Sequence, residues 1–228
     1  EEVLLQPLPK GLTAGAIVRV EIVREAMAER GGQSKRAKAK PVSGTPSRMP
    51  APQLLEDLNI TKYDVRQVHP HDDDIFAQYG WHDALEQADS GLVAFDGGNL
   101  LISLTPAMTV IDVDGPLPPL ELAKRAAGEI ARALSRLQLT GSIAVDFPTL
   151  QSKADRNAVC AIFDEQMTGN CERTAINGFG LMQIVSRKVR PSISEIIQSD
   201  RVLAATLDLL RQAERDRRTG AMCLCVHP

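Results

Sequence analysis

No stretch of the 228-residue chain approaches the ~18 consecutive apolar residues of a membrane helix. Glu1-Glu2 open it without a basic segment ahead of an apolar one. Neither a membrane span nor a secretory leader is expected, and a cytoplasmic address is. An excess of positive charge is also missing: 26 Lys and Arg face 29 Asp and Glu, for a formal net charge of −3. That excludes a histone-like or tail-type polyanion binder and requires any nucleic-acid site to be a local basic surface. Cysteine is scarce. Cys160, Cys171, Cys223 and Cys225 are too few and too irregularly spaced for a disulfide scaffold, which fits a reducing compartment. A start methionine is lacking as well, as expected of a piece of a longer protein. What is present is a hydrophobic content of 43%, enough for one large or two small domains with an ordinary core.

The alternation of apolar and charged residues in GAIVRVEIVREAM, residues 15–27, predicts a half-buried strand. Gly31-Gly32 then supplies a turn, and Lys35, Arg36, Lys38 and Lys40 form the densest cationic run. The Pro-rich stretch from Pro41 to Pro52 has the composition of a linker. These features divide the chain into a small β module over 1–43, a connecting region over 44–90 and a main unit over 91–228. Within the connecting region, short helices are expected at Gln53–Leu58 and Trp81–Asp89, with the ionisable loop HPHDDD (His69–Asp74) between them. His69, His71 and the three aspartates read better as an exposed loop than as a metal site, since no complementary ligands are spaced nearby. Trp81 is expected to anchor the region before the next hairpin.

Leu92–Phe95 and Leu100–Leu104 flank Asp96-Gly97-Gly98-Asn99, the pattern of a β-hairpin. Ala107–Asp112 and Ser142–Phe147 read as strands, and Leu117–Leu139 between them has apolar residues at helical spacing. A crossover of that length makes the two strands parallel and brings their carboxyl ends to one edge of the sheet. Further along, Gln151–Met167 reads as a helix, Thr174–Val189 as strand-rich, and Ile193–Arg217 as one or two amphipathic helices.

Chemistry concentrates at that sheet edge. Asp112 and Asp114 in VIDVDG project from one strand face, and the crossover carries Asp146 of IAVDFP to the same edge. Their apolar neighbours make the strands look buried, so three converging carboxylates would need a cation to offset desolvation and repulsion. All-oxygen ligation suits Mg²⁺, with Mn²⁺ as a substitute, better than zinc. The competing reading is that Asp112 and Asp146 cap turns after strands.

The ordered segments GGNLLISLTPAMTVIDVDG, EIARAL, GSIAVDFPTL and INGFGLMQIVSRK, between about Gly91 and Pro191, resemble the catalytic, DNase I-like subdomain of the ribonuclease E/G family. Less specifically, GAIVRVEIVREA with its basic segment resembles the end of that family's S1-type barrel. The resemblance implies a mixed α+β or α/β fold: a sheet with a crossover helix, preceded by a partial S1/OB-like module. It also implies Mg²⁺-dependent endonucleolytic cleavage of single-stranded RNA, leaving a 5′-phosphate and a 3′-hydroxyl. Asp112 and Asp146 match the family's two metal-ligating aspartates. Asp114 stands where the family has an Asn, Thr149 replaces the second Asp of D-F-I-D-M, and Gln183 replaces the Glu of the later motif. A full 5′-sensor insertion has no room, and the family's zinc-link C-P-x-C is unmatched: Cys223-Leu224-Cys225 reads as two ordinary cysteines. A monomer or simple homodimer is therefore expected, not a zinc-linked tetramer.

Candidate RNA contacts are the cations Arg156, Arg187, Lys188 and Arg190, with Lys35, Arg36, Lys38 and Lys40 upstream. Phe179, between two glycines, is a candidate to stack a base, although a core position is the commoner fate of a phenylalanine. The rival function is an RNA-binding protein on the same fold with weakened catalysis, which the changes at Asp114, Thr149 and Gln183 favour. A metal-dependent DNase or phosphodiesterase is a third possibility, because the same carboxylates serve any phosphodiester.

Overall fold

The computed structural model describes residues 2–28, 34–43 and 66–224. At the amino end, β1 (Val3–Leu5), β2 (Val20–Arg24) and β5 (Ala37–Pro41) form a sheet in the order β1-β5-β2, while β3 (Met27–Ala28) pairs with β4 (Ser34–Lys35). β5 runs parallel to β1 and antiparallel to β2. The described strands of this amino-terminal module form an open sheet rather than a closed barrel. The strand expected over 15–27 is also shorter. β5 pairs only with residues 20–24, and Ile17, with no strand opposite it, is fully exposed. Isolated β-patterned residues gain nothing without such a partner. Gly31-Gly32, the helix expected at Gln53–Leu58 and Cys225 lie outside the described residues.

The main unit begins with α1 (Ile75–Gln78) and α2 (Trp81–Ser90). It continues through β6 (Leu92–Phe95), β7 (Gly98–Leu104), β8 (Thr109–Asp114), α3 (Pro119–Arg136), β9 (Ser142–Asp146), α4 (Lys153–Gln166), β10 (Glu172–Arg173) and β11 (Leu181–Val185). It closes with α5 (Ile193–Ser199) and α6 (Arg201–Glu214). Six strands pair in the order β10-β11-β9-β8-β7-β6. The class is α+β, as expected. Local signals explain most boundaries. Asp96-Gly97 makes the two-residue hairpin turn, with Gly97 at φ +90°, the backbone that an Asp-Gly turn favours. Pro119 starts α3 where its missing N–H costs nothing. Ser152 caps α4 by accepting from the Ala154 and Asp155 amides.

β8 and β9 are the parallel pair that the crossover predicts, and every other pairing in this sheet is antiparallel. α3 packs against β6, β7 and β8 and against α4, so these helices share one face of the sheet. Ala123, Ala126, Ala127 and Ala131 of α3 are fully buried, and such short side chains let the helix axis lie close to the strands. Leu100, Ile111, Val145, Met182 and Phe163 fill the core between the layers. Among the described residues, no helix covers the opposite face. Alternating positions there are exposed, including Leu101, Asp112, Asp114, Asp146 and Gln183. This corrects the reading of strands buried on both sides. A mainly antiparallel sheet is stable with one solvated face, so Asp112 and Asp146 are not desolvated.

The HPHDDD loop is a docking element for the carboxyl end. Asp74 caps α1 by accepting from the Ala77 amide at 3.0 Å and also receives Arg211 at 2.7 Å and Arg215 at 3.2 Å. Arg215 further donates to the Asp72 carbonyl, and Arg217 pairs with Asp73. The Arg211 guanidinium lies 5.2 Å over the Trp81 ring, which meets Phe76 edge-on at 5.9 Å. Trp81 is thus an anchor, as expected, but for α6 rather than for the hairpin alone. The Ala77 amide, then Arg211 and Arg215, hold the Asp74 carboxyl below its ordinary value. With the folded value lowered, this stabilisation is complete above about pH 5 and is lost as the pH falls through the lowered value.

Asp74→Ala should release α6 from α1. Trp81 is the only tryptophan, so its emission should shift to the red and become more quenchable by iodide. Wild type should make the same change only in acid, and an unchanged spectrum in the variant would show that α6 is held some other way.

Candidate active site

The pairing of β8 with β9 places Asp112 directly opposite Asp146. Both side chains point to the open face, and neighbouring strands lie ~4.8 Å apart, so the two carboxylates stand side by side. The row extends in both directions: Leu92, Leu101, Asp112, Asp146 and Leu181 are successive register partners. Asp114 shares the face one pair further along, opposite Asn99. It accepts from the Gly115 amide at 2.9 Å, a bond that shapes the turn after β8 and that an Asn carbonyl would make equally well.

No group of three or more His, Cys, Asp or Glu side chains is positioned to hold a metal ion among the described residues. The expected three-carboxylate cluster is therefore a pair with a neighbour, because residues two apart on a strand are separated by ~6.6 Å. An adjacent pair of solvated carboxylates still fits a hard divalent cation. Mg²⁺ is commonly held by one or two carboxylates, with waters and substrate phosphate completing its shell. The HPHDDD loop makes no metal cluster either; its aspartates are engaged as described.

The loop after Asp146 is built tightly. Arg156, in α4, donates to the Leu150 carbonyl at 2.6 Å and the Gln151 carbonyl at 3.2 Å, which turns its charge to holding this loop. On the other side of Asp146, Asn177 Oδ1 accepts from the amides of Phe179 and Leu181. The Gly180 carbonyl accepts from the Phe147 amide at 3.1 Å. Phe179 at the tip of this turn is 86% exposed, overturning the expectation that a phenylalanine there is core. Glycines on either side of it, at the tip of the turn, leave its ring uncovered, and the turn adjoins the strand end that carries Asp146.

The remaining cations do not converge there. β11 runs antiparallel to β9 with Val185 opposite Ser142. Arg187, Lys188 and Arg190, which follow it, thus lie at the amino edge of β9, more than ~13 Å from Asp146. Arg187 and Arg190 are exposed. Lys188 pairs with Glu195, a carboxyl that also accepts from the Ser192 amide and hydroxyl. Half-burial is the strongest single influence on Glu195 and opposes its charge, but Lys188 and Ser192 together outweigh it and hold the carboxyl below its usual value. In the amino-terminal strands, Arg36 pairs with Glu2 and Lys40 with Glu21, both at 3.1 Å. Lys35 ends β4, and Lys38 is half-buried in β5.

Sequence reasoning missed Leu101 and Leu181. Their alternation with buried Leu100 and Met182 was visible, but which parity faces solvent depends on the single helical layer. Gly180 was also missed as a close approach: its φ is +97°, and a Cβ there would fall 2.1 Å from the Phe147 carbonyl oxygen.

Two comparisons bear on identity. The sequence model of the Ribonuclease E/G family matches residues 49–189, taking in part of the stretch that composition alone assigns to a connecting region. Ribonuclease G of Haemophilus influenzae is 28% identical over 136 residues, covering 54% of this chain and 28% of that protein. The chain thus matches a little over a quarter of the length of that relative.

Gly180→Ala should destabilise the chain by about 2–3 kcal/mol through strain and displacement of the β9 end. Gly178→Ala, whose added methyl meets no atom within 4 Å, should be close to neutral. Urea denaturation of both variants checks this; equal stabilities would mean that the turn is not pinned against β9.

Proposed function

The chain belongs to the ribonuclease E/G family, and on that basis we propose that it is a Mg²⁺-dependent endoribonuclease that cuts single-stranded RNA to leave 5′-phosphate and 3′-hydroxyl ends. The observation that carries this reading is the register that seats Asp112 beside Asp146 on the solvated sheet face. In this reading residues 91–228 form the catalytic unit and the amino-terminal strands add RNA contacts. Asp112 and Asp146 hold the ion, and Asp114 fixes the adjoining turn through Gly115. Mg²⁺ bound there, or Mn²⁺ in its place, supplies Lewis-acid polarisation of the phosphate and a more acidic water. Arg156 keeps the loop after Asp146 in place, so that the carboxylate faces the reacting phosphate. Arg187, Lys188 and Arg190 lie far enough away to meet phosphates further along the strand, with Lys188 first leaving Glu195. Arg36 and Lys40 sit in exposed ion pairs, which are weak, so exchange of a carboxylate partner for a phosphate costs little.

Phosphate contacts of this kind attract RNA without reading its sequence and weaken with salt. The substitutions at Asp114, Thr149 and Gln183 favour a second reading, a protein that binds RNA with little cleavage.

A fluorescent single-stranded RNA incubated with the full chain and Mg²⁺ should be cut, and Asp112→Asn and Asp146→Asn should each lower the rate about 10²- to 10³-fold. Cleavage that persists in both variants would remove this site from the chemistry. Binding without cleavage by wild type would favour the second reading, and equal cutting of the matching DNA would make the enzyme a general phosphodiesterase.

A further inference from the structure

The open face around the aspartate pair carries no cation where a polyanion site is expected to be cationic. β6 to β11 contain one basic residue, Arg173, and it lies on the helix side, paired with Asp164. No Lys or Arg of these strands therefore stands on the solvated face. What flanks the carboxylates is leucine. Leu101 is the register partner of Asp112, and Leu181 that of Asp146. Leu101 is 48% exposed, and Phe179, 86% exposed, stands two residues before Leu181 in the turn that Asn177 and Gly180 fix. Single exposed leucines are ordinary. Two of them bracket the carboxylate pair in one cross-sheet row, with an exposed aromatic ring in the turn at one end.

We infer that Leu101 on one side, and Leu181 with Phe179 on the other, grip the uncharged faces of the two nucleotides that flank the scissile phosphate. This inference rests on the proposed ribonuclease reading and adds positioning residues to it. The chemistry follows from what the face can offer. Beside the carboxylates, Leu101, Leu181 and Phe179 carry no charge to pair with phosphates and no donors or acceptors to read base edges. These three side chains can take only flat or apolar surfaces of base and ribose. Such contacts tolerate any base, because every base has a π-face. They also demand an unpaired strand, since in a duplex those faces are stacked on their neighbours. The site would thus select single strands by shape while staying nearly indifferent to sequence at the two central nucleotides. Phe179 acts here through the base and not on the reacting atoms.

The test pairs changes in protein and RNA. With the full chain and Mg²⁺, an oligonucleotide with a mapped cut is compared with versions carrying an abasic ribose on either side of it. In wild type each abasic site should raise KM about fivefold to tenfold. Phe179→Ala should abolish the effect of the abasic site on one side of the cut, and Leu101→Ser that on the other, with thermal unfolding unchanged because both side chains are exposed. Phe179→Trp and Leu101→Met, which keep a flat or apolar surface, should retain the sensitivity. Equal sensitivity in wild type, Phe179→Ala and Leu101→Ser overturns the grip while leaving the ribonuclease reading intact. Absence of any RNA cleavage by wild type overturns both.

Discussion

The parallel pairing of β8 with β9 is the constraint on which the rest of the molecule turns. It needs a crossover, and α3 supplies one whose alanine-rich surface lies close against the strands. It sets which residues stand opposite each other, and a slip of one residue would send one aspartate into the core. With Ile111 beside Val145 under the helices, Asp112 has to stand beside Asp146 on the other face. Core packing and the placement of the two carboxylates are therefore one choice, enforced by the cost of burying a charge.

Around that pair the structure is built to hold position. Arg156 on one side and the Asn177–Gly180 turn on the other fix the segments next to the Asp146 strand end. Arg156 donates to the carbonyls of that loop rather than to the carboxylates. The cationic residues are displaced to the other edge of β9. In the proposed reading, a divalent ion at the carboxylates would meet the reacting phosphate, while cations at the far edge of β9 meet phosphates further along the strand. The α6 clasp on the HPHDDD loop serves stability at a distance from this face.

Much of this was legible in the sequence. The hairpin at Asp96-Gly97, the α3 crossover and the Ser152 cap follow from local signals, and the aspartates stood out because strand alternation and a crossover imply a shared edge. What could not be read was nonlocal. Whether a strand is covered on one face or two depends on how many helices return to it, so VIDVD looked doubly buried when only Ile111 and Val113 face the core. The position of Arg187 and Arg190 depends on the antiparallel direction of β11, which proximity in sequence to Gln183 does not disclose. The residue type of Phe179 points to the core, but its exposure follows from a turn held by Asn177. The acidic loop gave no sign of its partners, Arg211 and Arg215, because they lie well over a hundred residues away.

The central claim is that Asp112 and Asp146 together hold one divalent ion. Titration of the full chain with Mn²⁺, followed by electron paramagnetic resonance of the free ion, tests it directly. One site in wild type that is lost in both Asp112→Asn and Asp146→Asn is the predicted result, whereas a site of unchanged affinity in both variants would contradict it.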